Sequence, residues 1–344
     1  MSRVERLRER LEEPLLVTNP VHVRYLIGFE SSNAALLVEP ERLRLYSDGR
    51  YATAAQALAG VEFVETRRSL LPSLAELLEG RIGFEEEHVT VAGYESLRAG
   101  GLELVARRGL VEELRAVKDE TELDAIRRAA AITDEVYAAM AEEPFVGRSE
   151  RELAWRMEQL FHEHGADAVA FEIIVGSGPT GSLPHGRPTG RVVESRELVV
   201  IDAGCVVDGY CSDCTRTFAT GVVPEELTRV YSVCLEAQLA GLAAVRAGAD
   251  GVAVDRAARQ VTERAGYEKD FPHGLGHGVG LQVHEAPRLS QESESVLAAG
   301  NVVTVEPGIY LAGQAGVRIE DLVVVTEREP EVLSQFTKEP VAVQ

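Results

Sequence analysis

Asp202 and Asp213 lie eleven residues apart in ELVVIDAGCVVDGYCSDCTRT, a stretch otherwise rich in apolar side chains. Asp208-Gly209 is a preferred two-residue hairpin loop, so it pairs Val207 with Tyr210 and, in continued register, Gly204 with Asp213. Asp202 shares a face with Gly204. Asp213 is therefore diagonal to Asp202, with Cβ atoms about 7 Å apart or less. Two carboxylates facing each other inside an apolar sheet repel, and a bound cation would compensate them. A solvent-facing strand with incidental acids is the alternative for this segment. Further along, HGLGHGVGLQVHEAP holds His273, His277 and His284 among glycines that let the backbone approach closely and the imidazoles converge. LPHGRPTG adds His185, so half of the eight histidines fall in two loops. TVEPG puts Glu306 at a strand end ahead of a turn, and GVRIED puts Arg318 and Glu320 on one strand face.

Three other motifs carry less. Gly176, Gly178 and Gly181 satisfy G-x-G-x-x-G after the strand FEIIV, but Pro179 and Pro184 prevent a helix from opening there to hold a pyrophosphate. Cys211 and Cys214 imitate a zinc or redox pair. Three residues apart on a strand they point to opposite faces, so they read as packing residues. His162-Glu-His164 lacks the spacing that sets two imidazoles on one helical face and reads as solvated helix surface.

The elements that must position these residues fall into two parts. The first hundred residues alternate strands (34–40, 43–49, 61–66) with helices ended by Gly60 (51–60) and Gly80 (70–80), which is an α/β pattern. A long amphipathic helix over 118–143 follows, and the domain boundary is placed just before it, giving domains 1–116 and 117–344. The second part runs through a helix (149–164), three strands (FEIIV, ELVVIDAGCVV, YCSDCTRTFA), two helices (224–247, 250–265), a Gly/His loop and two more strands (NVVTVEP, GVRIEDLVVVT). Its helices and strands are segregated, so α+β is its class.

Composition narrows the function. With 45% hydrophobic and 26% charged residues the chain has ample material for large cores. Its 35 basic and 56 acidic residues leave a net charge of −21, of which −17 falls after residue 116. Such an excess argues against nucleic acid. No apolar run is long enough to span a bilayer, the N-terminus is charged rather than signal-like, and four cysteines suit a reducing compartment, so a cytoplasmic protein is expected.

The spacing from Asp202 to Asp213, the HGLGHGVG block, VEPGIY and VRIED together resemble the dinuclear metallopeptidases of the pita-bread fold: methionine aminopeptidase, aminopeptidase P and prolidase. YLIGFESSNAALLVEP and LYSDGRY are similar to the N-terminal domain of the aminopeptidase P, prolidase and creatinase branch. LRAVKDETELDAIRRAAAITD looks like that branch's linker and first catalytic helix. The resemblance implies an α+β pita-bread catalytic domain preceded by a smaller α/β creatinase-like domain. It also implies a homodimer in which the N-terminal domain edges the partner's site.

For the site, the resemblance implies metal ligands Asp202, Asp213, His277, Glu306 and Glu320, with Asp213 and Glu320 bridging two divalent cations. Four carboxylates and one imidazole suit Mn²⁺ first, with Co²⁺, Fe²⁺ or Zn²⁺ as alternatives. A water bridging the cations would be the nucleophile and Glu306 the proton shuttle. His273 and His284 would hydrogen-bond the substrate and its tetrahedral intermediate, His185 would line the cleft wall, and Arg318 would orient the bridging carboxylates. The implied substrate has proline in second position, with Arg288 meeting a dipeptide's free carboxylate. A dipeptidase is the leading expectation and an aminopeptidase on longer peptides the alternative. A catalytically silent peptide-binding scaffold is the rival from another class, disfavoured by the filled ligand positions.

Overall fold

The computed structural model describes residues 1–344 as two compact units, Met1–Arg115 and Ala116–Gln344. In the first unit α1 (Arg3–Arg8) and β1 (Leu15–Val17) lead to α2 (Pro20–Ile27), which is capped by Asn19, opened by Pro20 and closed by Gly28 in the left-handed region. There follow β2 (Ala34–Val38), β3 (Leu43–Asp48), α3 (Ala52–Gln56), β4 (Glu62–Thr66), α4 (Leu70–Leu77), β5 (Arg81–Glu85), α5 (Val91–Ala99) and β6 (Glu103–Arg107). The six strands form one mixed sheet in the order β4-β3-β2-β1-β5-β6. Leu74 and Leu97 of α4 and α5 pack with Leu16, Leu37, Tyr46 and Ile82 of the sheet. The helix expected over 51–60 is shorter. After Gln56 the chain tightens into three-residue turns, Ala57 N to Ala54 O and Leu58 N to Ala55 O, before Gly60 at φ +76°.

The chain passes through α6 (Glu112–Ala116) to α7 (Glu120–Ala141) and α8 (Glu150–Glu163). Reciprocal capping boxes open the two long helices, Asp119 with Glu122 and Ser149 with Glu152. The remaining elements are β7 (Ala168–Val169), β8 (Ile174–Ser177), β9 (Leu198–Ala203), β10 (Cys205–Val207), β11 (Tyr210–Cys211), β12 (Cys214–Thr220), α9 (Glu225–Ala244), α10 (Gly251–Arg264), β13 (Gly276–Gly278), β14 (Glu285–Leu289), β15 (Val302–Val305), β16 (Gly308–Leu311), β17 (Ala315–Arg318), β18 (Asp321–Val324), β19 (Glu331–Val332) and β20 (Val341–Val343).

These strands form sheets ordered β11-β10-β7, β20-β12-β9-β8, β14-β13-β15-β18-β19 and β16-β17. Tyr137 and Phe161 of α7 and α8 pack on Val199, Ile201 and Phe218 of β9 and β12. Ala237, Val254 and Ala258 of α9 and α10 pack on Leu275, Val303 and Val305. No helix is long and apolar enough to cross a membrane.

Three expected strands are divided and a fourth, FEIIV, is shortened, each where the chain changes sheets or comes too close to itself. FEIIV becomes strand only from Ile174, because β7 pairs with β10 while β8 pairs with β9, and residues 171–173 carry the chain between them. The Asp208-Gly209 hairpin pairs Val207 with Tyr210, and the same register resumes with Asp202 opposite Thr215. Between these ladders a Cβ at Gly204 would lie 1.9 Å from Ser212 O, so only glycine admits the approach. GVRIEDLVVVT divides into β17 and β18, which belong to different sheets, and leaves Glu320 at the corner between them.

Candidate metal centre

Four chain segments bring carboxylates to one place: the end of β9 (Asp202), the entry to β12 (Asp213), the exit from β15 (Glu306) and the corner before β18 (Glu320). His277 on β13 joins them. The ligand atoms of Asp213, His277 and Glu320 all lie within 4.8 Å of one another. His277 Nε2 is 3.6 Å from Asp213 Oδ2 and 3.2 Å from Glu306 Oε1. Its Nδ1 donates to Gly278 O at 3.1 Å, so Nε2 is the nitrogen turned to the carboxylates.

The carboxylates are supported from behind. Arg318 Nη2 donates to Asp202 Oδ2 at 2.6 Å, and Arg318 Nε donates to Thr215 Oγ1 at 2.9 Å. Thr215 in turn donates to Glu320 Oε2 at 2.7 Å. Thr304 Oγ1 accepts from His277 N and donates to Glu306 Oε1. Even so, Asp202 Oδ1 and Glu320 Oε1 are buried with no hydrogen-bond partner. Burial raises the carboxyl groups of Asp202, Asp213 and Glu320 above their ordinary range. Neighbouring carboxylates push all three further up, and Arg318 opposes them. Burial would raise Glu306 as well, but the hydrogen bond and charge of His277 outweigh it and bring it to about 2.

Two carboxylates at the 4.8 Å limit repel by about 3.5 kcal/mol at an effective dielectric of about 20. Orphaned buried oxygens, mutual repulsion and an imidazole nitrogen aimed among them are what divalent cations would relieve. The residues present therefore fit a hard-cation site.

The surrounding residues differ in places from the expected roles. Arg318 does not touch Asp213; it holds Asp202 directly and reaches Glu320 only through Thr215, because Glu320 sits beyond the end of β17. Both ring nitrogens of His273 are engaged. Nδ1 donates to Gly274 O at 2.8 Å, while Tyr310 OH, which accepts from Arg318 Nη1, lies 3.0 Å from Nε2. Burial holds His273 below its usual range, so its neutral ring accepts from Tyr310 and is not free to donate to a substrate.

His284 is open by comparison. Its ring meets His277 edge-on with centroids 4.2 Å apart, and burial followed by the charge of His277 lowers its basicity. His185 is exposed, on a loop tied to the site where Arg318 Nη1 donates to Pro184 O. Arg288 is exposed on β14, directly opposite His277 in the ladder. Thr215, Thr304 and Tyr310 escaped the sequence reading. Thr215 could have been found by running the hairpin register two residues past Asp213, and Thr304 by alternation from Glu306.

Residues 124–327 match the family model described as metallopeptidase family M24, and residues 3–117 match that of the creatinase/prolidase N-terminal domain. The peptidase YqhT of Bacillus subtilis is 37% identical over 332 residues, which cover 94% of each chain. Among solved structures, the Xaa-Pro dipeptidase from Bacillus anthracis superposes with a TM-score of 0.94 at 35% identity, covering 99% of both chains. The X-Pro aminopeptidase from Thermotoga maritima does so with a TM-score of 0.91 at 33% identity over 100% of both.

Proposed function

The chain belongs to metallopeptidase family M24, and from that premise we propose that it hydrolyses Xaa-Pro bonds with two divalent cations and acts foremost as an Xaa-Pro dipeptidase. The observation that carries this reading is the buried Asp213–His277–Glu320 cluster with orphaned oxygens on Asp202 and Glu320. Asp202, Asp213, His277, Glu306 and Glu320 would hold the cations. When bound, such cations lower the pKa of water and polarise a carbonyl.

The chain's own groups account for the rest. Glu306, held by Thr304 and facing His277, would accept a proton and pass it to the leaving nitrogen. His284, with no competing protein partner at its ring nitrogens comparable to those of His273, is the better donor to a developing oxyanion. His185 would line the cleft, and Arg288 would meet the free carboxylate of a dipeptide. The Xaa-Pro bond has no amide N–H to recognise, so contacts at the substrate's two ends must supply the orientation.

Manganese is the metal this oxygen-rich donor set favours. The further assignments are a homodimer, residues 1–116 as the N-terminal domain, residues 117–344 as the catalytic domain, and a cytoplasmic location in keeping with four free, buried cysteines.

The discriminating experiment reconstitutes metal-free protein with Mn²⁺ and compares Ala-Pro with Ala-Pro-Ala. Faster turnover of the dipeptide is expected. Preference for the tripeptide would instead select aminopeptidase activity, the reading favoured by the whole-chain likeness to the Thermotoga maritima protein. Failure on both substrates with Mn²⁺, Co²⁺, Fe²⁺ and Zn²⁺ would sink the proposal.

A further inference from the structure

Helix α10 buries an ion pair that its own packing does not require. Val254, Ala258 and Val261 fill the apolar core beside α9, yet Asp255 and Arg259, one turn apart, are buried on the same helix with 1% and 7% of their surface exposed. Arg259 grips Asp255 through two bonds, Nε to Oδ2 and Nη2 to Oδ1, each 3.0 Å. A buried pair of this kind gains little stability over two apolar side chains of similar volume, because both charges must be stripped of water.

The remaining bonds of the pair all go to one loop. Arg259 Nη1 donates to Phe271 O at 2.8 Å and Nη2 to His273 O at 2.7 Å, while Asp255 Oδ1 accepts from Leu275 N at 3.0 Å. The guanidinium also lies over the Phe271 ring, 4.2 Å from its centroid, and that ring meets His273 edge-on. Leu275 O accepts from Glu306 N at 2.8 Å. A single residue, Leu275, therefore separates the helix pair from the backbone of Glu306, the proposed proton carrier.

We propose that Asp255 and Arg259 are positioning residues for the reaction: through residues 271–275 they set the backbone of His273 and of Glu306, and so the alignment of Glu306 with the substrate's leaving nitrogen. This rests on the peptidase reading above. A group that acts through placement affects the bound complex more than affinity, so its loss lowers kcat more than it raises KM.

The test compares the parent with Asp255→Met/Arg259→Met, which removes both charges together and leaves no unpaired ion in the core, and with Arg259→Lys, which keeps the charge pair but cannot span both carbonyls. For the double variant we expect kcat on Ala-Pro to fall about tenfold or more, with KM within about threefold and bound manganese unchanged. Arg259→Lys should lie between the two. Independently of activity, amide hydrogen exchange in metal-free protein should speed up in residues 271–277 of the double variant and not in β9 or β12. A double variant with parental kcat, or one whose 271–277 amides exchange no faster, overturns the proposal. Should the double variant not fold, parental kcat in folded Arg259→Lys overturns it and a lowered kcat with unchanged KM supports it. If the parent cleaves no Xaa-Pro peptide, the peptidase reading fails while the exchange comparison still decides whether the pair clamps the loop.

Discussion

Asp213 shows how a proposed metal ligand can be a burden to the fold that carries it. Its carboxyl is pushed up by burial and by Glu320, Asp202 and Glu306, so the folded state holds its proton to higher pH than the unfolded chain does. The sign follows from linkage. With more protons bound in the native state, the stability of metal-free protein falls as pH rises above the unfolded value near 4, until the folded value is passed. Asp213→Asn removes that loss. Metal-free Asp213→Asn should therefore melt higher than the metal-free parent at pH 7, by about 2–4 °C per kcal/mol relieved, with the gap closing toward pH 4. Elemental analysis of the same variant after manganese exposure should find the site depleted. A lower melting temperature for the metal-free variant at pH 7 would contradict the repulsion argued from the geometry.

At the scale of elements, one carboxylate joins α8 to both ends of the loop after β8. Glu150, at the first position of α8, is fully buried; it accepts from Ser177 N and Oγ and from Thr189 N and Oγ1, with Thr180 Oγ1 also on it. Burial would raise this carboxyl, but the hydroxyls of Thr180 and Thr189 and the N–H and hydroxyl of Ser177 outweigh it and hold it below its usual range. Its contribution is present above the unfolded value near 4.3 and is lost as pH falls through the folded one. Glu150→Gln puts a donor where only acceptors fit, so it should cost about 2 kcal/mol in urea melts at pH 7, with the deficit shrinking below pH 4. The loop it holds carries His185, so a loss of activity without loss of metal should accompany it. Equal stability of the two proteins at pH 7 would show that the loop is held by other bonds.

For the molecule as a whole, a dominant electrostatic fact is an acid excess whose −17 share lies after residue 116. Four of those acids converge on one cluster, so a metal bound there would be thermodynamically linked to the fold. Ligand held at about a hundred times its dissociation constant adds about 2.7 kcal/mol, so chelation should lower the melting temperature by about 5–10 °C and manganese should restore it. An unchanged melt on chelation would count against a resident metal.

What the sequence determined by itself were the features that depend on neighbours along the chain. The Asp-Gly turn sets the register that puts Asp202 opposite Thr215. Alternation along strands and helical periodicity place most elements, and the facing carboxylates of one apolar hairpin point to a cation, whereas the choice of His277 among the histidines comes from the family resemblance. Only the tertiary structure decided that Arg318 holds Asp202 rather than the Asp213 side, that His273 is taken up by Tyr310 and Gly274, that Glu320 sits at a corner between two sheets, and that α10 grips the loop beside Glu306. Each of these joins residues many positions apart through the approach of separate sheets and helices. Such contacts are set by how whole faces pack, and no local periodicity encodes which distant partner a side chain will meet.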